Sequence, residues 1–552
     1  MTAAPRKRLG DRLIERGVLT LDRLKVALRE QERHHRPLGE ILQSIGFVEE
    51  KDLVSLLAED HGLEFLTAKQ VRPDPLLLSM LDPAFVRAAR AFPYELDKGT
   101  LKVLLLDPDD PATIEHVRER FPYPLVPALT TEKELNTLVR VHLDTRSSRL
   151  SEILAGAKES DGQWTQVEEI VEALLVDAIY KSATDIHVEP EELVTRVRYR
   201  IDGILQGVDN LPSHMTQSIV SRIKVLASLD ISERRRPQDG RLRTRVGERE
   251  IDTRVSIMPT QYGENVVLRI LDKTDGVLRL ERLGLSLSQQ ALLREISARP
   301  HGLFLVTGPT GSGKTTTLYG MLAEVDAVHR KVATVEDPIE YQMPLIRQSQ
   351  IDPAIGFSFA NGLSTLLRQD PDVILVGEIR DGETADIAIK AAMTGHLVLS
   401  TLHTNSSIQA FARLGNMGVE RFLLEDSMIG AMSQRLARRV CTTCTREVPA
   451  TEEELRWLGV QEAMLKQGTG CDLCNRTGFQ GRIAVVETFL PDEASLEALR
   501  DGKGLEHVER VAEANGFKTL EQEGKELVLA GMSTMDEILR VACGARVTRK
   551  AA

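Results

Sequence analysis

Residues 308–316 read Gly-Pro-Thr-Gly-Ser-Gly-Lys-Thr-Thr, and this stretch decides the fold of the region around it. It fits the phosphate-loop pattern, in which four residues separate two glycines and a lysine and a threonine follow. An apolar run at 303–306 precedes the loop, and a helical pattern at 317–322 follows it. The order predicts a strand, a loop that wraps phosphate groups, and a helix whose N-terminus faces them. We therefore expect an α/β domain that binds a nucleoside triphosphate.

Two side chains carry the chemistry of this loop. Lys314 is expected to reach the β- and γ-phosphates, and the Thr315 hydroxyl to hold Mg²⁺. A glycine-rich turn without a ligand would not need this lysine and threonine between a strand and a helix. The expected ATP-binding residues are those of the loop itself: Gly308, Pro309, Thr310, Gly311, Ser312, Gly313, Lys314, Thr315 and Thr316.

Three later segments each place polar side chains at the end of an apolar strand pattern: 331–335 before Glu336 and Glu340, 372–377 before Glu378, and 397–402 between His396 and His403. Ligands of doubly wound sheets bind at the carboxyl ends of the strands. We expect Glu378 to share the Mg²⁺ with the phosphate loop and His403 to sense the γ-phosphate. Either Glu340 or Glu336 would position the water, and the residues alone do not choose between them.

Four motifs resemble one known family, the ATPases of type II secretion and type IV pilus assembly. They are the phosphate loop at 308–317, Val-Glu-Asp-Pro-Ile-Glu-Tyr at 335–341, the Walker B segment at 368–381 and the His box at 394–405. The resemblance implies a RecA-like P-loop domain that hydrolyses ATP within a homohexameric ring. It further implies that Glu340 is the catalytic glutamate, Glu378 the Walker B acid and His403 a nucleotide sensor.

The region before the P-loop domain is similar to the middle domain of the same family, at residues 183–190, 198–203 and 236–241. The resemblance implies a PAS-like α+β domain whose Arg241 and Arg254 reach a nucleotide, often that of a neighbouring subunit. Such an arginine would link the nucleotide state to the domain angle, because its contact is lost with the γ-phosphate. Ion pairs within the domain are the alternative role for both arginines.

Four of the five cysteines form two Cys-x-x-Cys pairs, Cys441 with Cys444 and Cys471 with Cys474. Each pair can form one edge of a tetrahedron, and four thiolates close a structural Zn²⁺ site without an open position. The family has a tetracysteine module at this location, which supports the same interpretation. Cys543 stands outside the pairs and is interpreted as a small apolar residue of a helical tail.

The first 60 residues contain a tandem repeat with an offset of 29 residues. Each unit combines a helical start, a glycine break and a second amphipathic helix. The repeat resembles the N-terminal domain that binds cyclic di-GMP in some assembly ATPases, which implies contacts from Arg8, Leu9, Gly10, Gln31, Leu38 and Gly39. The second unit departs from the pattern, with Pro37 and Asp60 where the first has Arg8 and Gln31. A helical docking domain for a membrane-bound partner is the alternative.

Length and composition limit the number of domains and the classes of function. A chain of 552 residues exceeds one hydrophobic core, and no apolar run is long enough to span a membrane. The net charge of −12 argues against nucleic acid as a partner and against a DNA translocase. The expected organisation is an N-terminal docking or regulatory domain at 1–145, a linker at 146–163, a middle α+β domain at 164–280, a RecA-like domain at 281–440, a zinc module at 441–475 and a helical C-terminal part at 476–552.

The resemblance implies a cytoplasmic ATPase at the inner membrane, bound through a platform protein and the cytoplasmic domain of a membrane-anchored recruiter. Assembly of a pseudopilus in type II secretion is the first interpretation, and type IV pilus extension the second. Pilus retraction fits less well, because retraction motors generally lack the tetracysteine module. A non-catalytic nucleotide sensor conflicts with the complete set of Lys314, Glu340 and Glu378.

Overall fold

The chain is represented by a computed structural model that divides into two compact units, Met1–Asp272 and Lys273–Ala552. The described residues are 8–143 except 35, 69, 72, 82 and 98; 159–160; 163–164; 167–272 except 247–248; and 279–542. Most of the predicted linker at 146–163, and Cys543, lie outside them. The expectation of a multidomain α/β protein is confirmed by the strands and helices of both units.

The tandem repeat consists of two helix pairs: α1 (Leu9–Glu15) with α2 (Leu21–His34), and α3 (Leu38–Ser44) with α4 (Glu50–His61). Gly17 and Gly46 follow the first helix of each pair with φ of 71° and 72°, a left-handed conformation that glycine adopts at little cost. Gly10 lies against Leu24, and a Cβ there would come within 2.7 Å of its methyl carbons. The Leu-Gly pattern is thus a close helix–helix contact.

The rest of the N-terminal region is a small sheet with helices around it. Its elements are α5 (Pro75–Met80), α6 (Pro83–Ala89), β1 (Ala91–Asp97), β2 (Thr100–Leu105), α7 (Pro111–Arg120), β3 (Leu125–Leu129) and α8 (Glu132–His142). The strand order is β1-β2-β3, with the first pair antiparallel and the second parallel. The strand predicted at 101–106 is therefore confirmed. Asp110 accepts a hydrogen bond from the N–H of Ala112 and begins α7 after the predicted turn.

The middle region begins with a short pair, β4 (Glu159–Ser160) and β5 (Gln163–Trp164), and builds one antiparallel sheet with two helices. Its further elements are α9 (Val167–Tyr180), β6 (Ala183–Pro190), β7 (Val194–Ile201), β8 (Ile204–Pro212), α10 (Thr216–Leu226), β9 (Gln238–Val246), β10 (Arg249–Thr260) and β11 (Gly263–Asp272). The order is β8-β7-β6-β11-β10-β9. Alternate strand residues form a common core with the apolar residues of α9 and α10, so the opposite face of the sheet carries the charged side chains.

The second unit is built on a seven-stranded sheet of order β14-β13-β15-β16-β12-β17-β20. Its strands are β12 (Gly302–Thr307), β13 (Val332–Glu336), β14 (Arg347–Gln350), β15 (Val373–Val376), β16 (Leu397–Leu402), β17 (Met428–Val440) and β20 (Phe479–Phe489). All neighbours are parallel except β17 and β20. The central strands are buried on both faces, which accounts for their continuous apolar runs.

Helices cover this sheet and complete the unit: α11 (Leu287–Ala298), α12 (Lys314–Glu324), α13 (Phe359–Leu366), α14 (Gly382–Met393), α15 (Ile408–Asn416) and α16 (Arg421–Ser427). Between β17 and β20 lies an insert of β18 (Thr445–Pro449), α17 (Glu452–Leu458) and β19 (Met464–Gly468). The described part of the chain closes with α18 (Glu493–Arg500), α19 (Leu505–Ala514), α20 (Leu520–Leu529) and α21 (Met535–Ala542).

The segment that the sequence assigns to a helical C-terminal part differs from that expectation at its start. Residues 479–489 form β20, which pairs with β17 along most of its length and belongs to the main sheet. The apolar run 483–486 is buried there, because it covers the edge of a strand that would otherwise be open. The last strand of the ATPase sheet therefore follows the cysteine insert in the chain.

The helices of the described residues are short; α2 and α9 have 14 residues each. In this part of the chain, no helix combines the length and the apolar character that crossing a bilayer requires.

Candidate nucleotide site

The loop between β12 and α12 has the backbone that a phosphate loop needs. Gly308, Gly311 and Gly313 have φ of 139°, 79° and 88°, and α12 begins at Lys314. A Cβ on Gly308 would lie 2.5 Å from the carbonyl oxygen of Gln434, so only glycine fits beside β17. Successive N–H groups can then converge on an anion at the positive end of the α12 dipole.

Lys314 lies buried within the curve of this loop. Its Nζ donates to the carbonyl oxygens of Gly308 at 2.9 Å and Pro309 at 3.0 Å. Burial lowers the pKa of Lys314 to about 8, although the carboxylate of Glu378 acts in the opposite direction. The Ser312 hydroxyl is buried in the same loop without a hydrogen-bond partner among the described residues. A buried cation on neutral acceptors beside an unsatisfied hydroxyl suits a phosphate group.

The four strand ends that the sequence singles out are neighbours in the sheet. In the order β13-β15-β16-β12 they bring Glu336, Glu378, His403 and the phosphate loop to one edge. His403 Nε2 lies 3.5 Å from Glu378 Oε2, and the imidazole is exposed. Arg380 forms an ion pair with the other oxygen of Glu378. Because the carboxyl ends of parallel strands share an edge, the sequence order is enough to assemble this group.

His396 is not part of that group. It precedes β16 and therefore lies at the opposite end of the strand from His403. Its Nδ1 is 2.9 Å from the carbonyl oxygen of Ala391. The contact joins the end of α14 to the start of β16, which is a structural role.

Glu336 and Glu340 have different surroundings. Glu336 is 2% exposed and accepts hydrogen bonds from Tyr319, from Thr334 Oγ1 at 2.6 Å and from Gln348 Nε2 at 3.1 Å. Glu340 follows in an irregular segment where its side chain is only partly buried. Glu336 is thus engaged by three protein donors in the core, whereas Glu340 keeps part of its side chain exposed.

Two residues of β17 line the phosphate loop and were missed by the sequence reasoning. Gln434 Oε1 accepts from Thr317 Oγ1 at 2.7 Å, and its side chain packs behind Gly313. The guanidinium of Arg435 lies beside Gly308. The available signal was the run of polar residues Ser-Gln-Arg at 433–435, which follows the apolar stretch 428–432.

The four paired cysteines come together at the root of the insert. Their sulfur atoms all lie within 4.8 Å of one another, and Sγ–Sγ distances are 3.9 Å for Cys441–Cys471, 3.8 Å for Cys444–Cys474 and 3.7 Å for Cys471–Cys474. Tetrahedral zinc with Zn–S of about 2.3 Å requires sulfur–sulfur edges of about 3.8 Å. The thiol geometry therefore fits a tetrahedral metal ion.

Backbone N–H groups point at the sulfurs of this cluster. Gly470 donates to Cys444 at 3.3 Å, and Cys471 and Gly478 donate to Cys474 at 3.2 and 3.3 Å. Burial raises the pKa of Cys474, but hydrogen bonds from the N–H groups of Cys471 and Gly478 and from the thiols of Cys471 and Cys444 outweigh it and lower the pKa to about 7. Burial raises the pKa of Cys471 to about 12. N–H donors of this kind stabilise thiolate ligands.

The two predicted arginines of the middle region lie side by side on the exposed face of its sheet. Arg241 on β9 is directly opposite Arg254 on β10, which is in turn opposite Arg269 on β11. Together they line a pocket on that face. Arg269 also donates to Asp185 at 3.1 Å. A row of guanidinium groups on neighbouring strands is a surface suited to an anion.

The residues predicted to bind cyclic di-GMP lie along α1, α2 and α3. Leu9 and Gly39 are close, since a Cβ on Gly39 would lie 3.7 Å from a Leu9 methyl carbon. Gln31 donates to the carbonyl oxygen of Arg36 at 3.1 Å, and Arg8 is exposed. Asp60, which replaces the expected glutamine of the second unit, accepts from Arg12 at 2.6 Å. Its negative charge is therefore balanced within the repeat.

Two protein-family models match separate parts of the chain. The family model described as type II/IV secretion system protein matches residues 160–540, and the MshEN domain model matches residues 61–149. The second match lies after the tandem repeat of α1–α4. Together the two models account for most of the described residues.

Curated relatives align over much of the length. Type II secretion system protein HxcR of Pseudomonas aeruginosa is 42% identical over 84% of this chain and 99% of its own. The type IV pilus assembly ATPase PilB of Thermus thermophilus is 36% identical over 97% of this chain, which spans 66% of that longer protein. The X-ray structure of the Legionella pneumophila ATPase DotB has a TM-score of 0.51 at 22% identity, covers 69% of this chain and 96% of its own, and supports the fold alone.

Proposed function

Because this chain belongs to the type II/IV secretion system protein family and is an ATPase, we propose that it powers the assembly of a pseudopilus in type II protein secretion. The observation that carries the proposal is the edge where the phosphate loop meets Glu378 and His403. The near full-length likeness to HxcR supports secretion as the process. We take the work to be mechanical, since the nucleotide site and the arginine-bearing middle region belong to different units.

In this proposal each residue at this edge of the sheet has its own role in ATP hydrolysis. Lys314 binds the β- and γ-phosphates, and Thr315 and Glu378 hold Mg²⁺, which neutralises phosphate charge when bound. Glu340 orients or deprotonates the attacking water, because Glu336 is buried under three donors. His403, beside Glu378, responds to the γ-phosphate.

The motor is proposed to act as a homohexamer in which Arg241 and Arg254 contact the nucleotide of a neighbouring subunit. An arginine in trans stabilises transition-state charge and reports phosphate loss to the next subunit. We propose that the ring works in the cytoplasm at the inner membrane. A platform protein and the cytoplasmic domain of a membrane-anchored recruiter would hold it there.

Type IV pilus extension is the second candidate, and the likeness to PilB across 97% of this chain favours it. Deleting the gene separates the two machines. Loss of secreted enzymes with intact surface pili supports secretion, whereas loss of pili with normal secretion supports pilus extension.

We propose that the four cysteines hold a structural Zn²⁺ without a catalytic role. Their sulfur separations match the edges of a tetrahedron, and they close the base of the insert between β17 and β20. The site would join two strands of the ATPase sheet.

Cyclic di-GMP is proposed as a regulatory ligand of the tandem repeat. The close approach of Leu9 and Gly39 and the exposed Arg8 support a guanine-stacking site. Titration of the full chain with cyclic di-GMP should give saturable binding that Arg8→Ala weakens about tenfold. No saturable signal at tens of micromolar would instead favour a docking role for the repeat.

The ATPase assignment has a direct test. Purified full-length protein with Mg·ATP should release phosphate, and Lys314→Ala should abolish both ATP binding and release. Glu340→Gln should abolish release but keep ATP binding, because it removes the base and leaves the phosphate contacts. Equal turnover in the variants and the wild type would refute these assignments, and binding without turnover in the wild type would identify a nucleotide sensor.

A further inference from the structure

Arg435 occupies a distinctive place at the phosphate loop. It lies on β17, which is parallel to β12 and follows the loop by some 120 residues of chain. Its Nη1 donates to the carbonyl oxygen of Gln434 at 3.0 Å, and its Nη2 to the carbonyl oxygen of Asn405 at 2.9 Å. A Cβ on Gly308 would lie 3.2 Å from Nη1. The guanidinium therefore flanks the first glycine of the loop.

The guanidinium of Arg435 is half-buried, but its surroundings do not supply the carboxylate that usually pairs with such a group. Among the described residues, no carboxylate lies within ion-pairing distance of it, and its acceptors are neutral. Glu487 acts on it through space, but its oxygens accept from Ser407 and from the N–H of Leu520 at 3.1 Å. Burial lowers the pKa of Arg435, yet a guanidinium stays charged at neutral pH.

Two cations therefore face the same loop without carboxylate ion pairs of their own. Lys314 donates to neutral carbonyl oxygens of the loop, and Arg435 donates to neutral carbonyl oxygens beside it. Placing two positive charges together in a partly dry site is unfavourable unless an anion joins them. A polyphosphate chain supplies that anion.

We propose that Arg435 binds the phosphate chain of the nucleotide held by its own subunit. The proposal rests on the ATPase function and adds an arginine in cis to those expected from a neighbour. On binding, the guanidinium exchanges the carbonyl oxygen of Asn405 for phosphate oxygens, which accept its paired N–H groups more strongly. Asn405 lies two residues after His403, and its carbonyl oxygen keeps the hydrogen bond from Ser433 Oγ at 3.3 Å after the exchange.

The neighbouring glutamine has the structural role that Arg435 would otherwise be given. Gln434 is buried, accepts from Thr317 and backs the loop at Gly308 and Gly313. Arg435 is only half-buried, and its Nη1 lies beside Gly308 at the start of the loop. Gln434 therefore supports the phosphate loop, and Arg435 is the residue that can contact the ligand of the loop.

Nucleotide affinity of the full-length protein tests the proposal. A non-hydrolysable ATP analogue and ADP are titrated into wild type, Arg435→Gln and Arg435→Lys at several salt concentrations. Arg439→Gln is the matched control, since it removes an arginine from the same strand four residues on. Lys314→Ala reports separately on the phosphate loop, and the melting temperature of each variant reports on folding.

We expect Arg435→Gln to weaken binding of both nucleotides about tenfold or more and to reduce the dependence of affinity on salt. Arg435→Lys should be several-fold weaker than wild type, because a lysine lacks the paired donors. The proposal is overturned if either folded variant keeps wild-type affinity, or if the affinity falls while its salt dependence stays unchanged. In both cases Lys314→Ala should still fail to bind, which leaves the ATPase function standing. A wild type that does not bind ATP would instead sink the ATPase function.

Discussion

At the scale of single residues, one tyrosine separates the roles of two nearby glutamates. The Tyr319 hydroxyl donates to the buried carboxylate of Glu336 and accepts from the N–H of Glu340 at 3.3 Å. Burial, reinforced by the carboxylate, raises the pKa of Tyr319, so the hydroxyl remains a donor. Glu336 thereby anchors α12 to β13, and the same tyrosine hydroxyl holds the backbone of the segment that carries Glu340.

Replacing Glu336 should therefore damage folding more than catalysis. Glu336→Ala leaves the buried hydroxyls of Tyr319 and Thr334 without this acceptor and should lower the free energy of unfolding of the ATPase unit by about 2–4 kcal/mol. Glu340→Ala should leave stability nearly unchanged and abolish phosphate release. Urea unfolding and single-turnover hydrolysis measure the two effects.

Thr334→Val is the matched control for Glu336→Ala, because it removes one of the three donors and keeps the carboxylate. It should cost less stability than Glu336→Ala. A stable Glu336→Ala protein that binds ATP without hydrolysing it would assign the catalytic role to Glu336 instead.

At the scale of elements, β17 connects the nucleotide site to the thiol cluster. Gln434 and Arg435 lie against the phosphate loop, and Cys441 follows the last residue of the strand. Between them, Arg438 is paired with the buried carboxylate of Glu537 on α21 at 2.9 Å and stacks over the ring of Phe479. One strand thus shares its packing with the loop, the C-terminal helices and the insert.

Loss of one thiol should remove the metal and loosen this end of the strand. Cys441→Ser is expected to reduce bound zinc from about one ion per chain to almost none, because three thiolates leave the tetrahedron open. The melting temperature should fall by roughly 5 °C, since metal binding contributes directly to folding. Metal analysis of the purified protein and thermal unfolding measure both effects.

Cys543→Ser is the control for this change, since that cysteine belongs to neither pair. It should leave the zinc content as in the wild type. Full zinc content in Cys441→Ser, or no zinc in the wild type, would contradict a four-thiolate site.

At the scale of the whole molecule, the middle sheet places a row of arginines on its exposed face. Arg241 and Arg254 face each other across β9 and β10, and like charges directly opposite are destabilising. An arrangement that costs stability is retained where it serves a ligand. The proposed ligand is the phosphate of a nucleotide bound to a neighbouring subunit.

Mixed rings distinguish an arginine that acts in trans from one that acts in cis. Lys314→Ala subunits and Arg241→Ala/Arg254→Ala subunits should each be inactive alone. Mixed in equal amounts, they should recover about a quarter of wild-type turnover, because a head-to-tail ring then contains sites with one intact partner of each kind. Phosphate release from the co-assembled protein measures the recovery.

The same mixing without co-assembly is the control for this experiment. Rings formed separately and combined afterwards should stay inactive. If co-assembled rings show no recovery while each variant still forms rings, the arginines act within their own subunit.

The parts of this protein that depend on local pattern could be predicted from the amino-acid sequence. The phosphate loop, the strands around it and the two cysteine pairs were all readable, because turn geometry, strand burial and chelate spacing are properties of short segments. The placement of Glu378 and His403 at one edge also followed, since parallel strands end on the same side of a sheet. The strand at 397–402 was predicted with its observed limits.

Which of two similar side chains is buried, and which distant residues meet, became clear from the three-dimensional packing. Glu336 and Glu340 lie four residues apart with the same chemistry, and the contacts of Glu336 with Tyr319, Thr334 and Gln348 separate them. Arg435 reaches the phosphate loop, and β20 joins the main sheet, through the order of strands. That order is set by burial of apolar surface shared between distant segments, and no short window of sequence contains it.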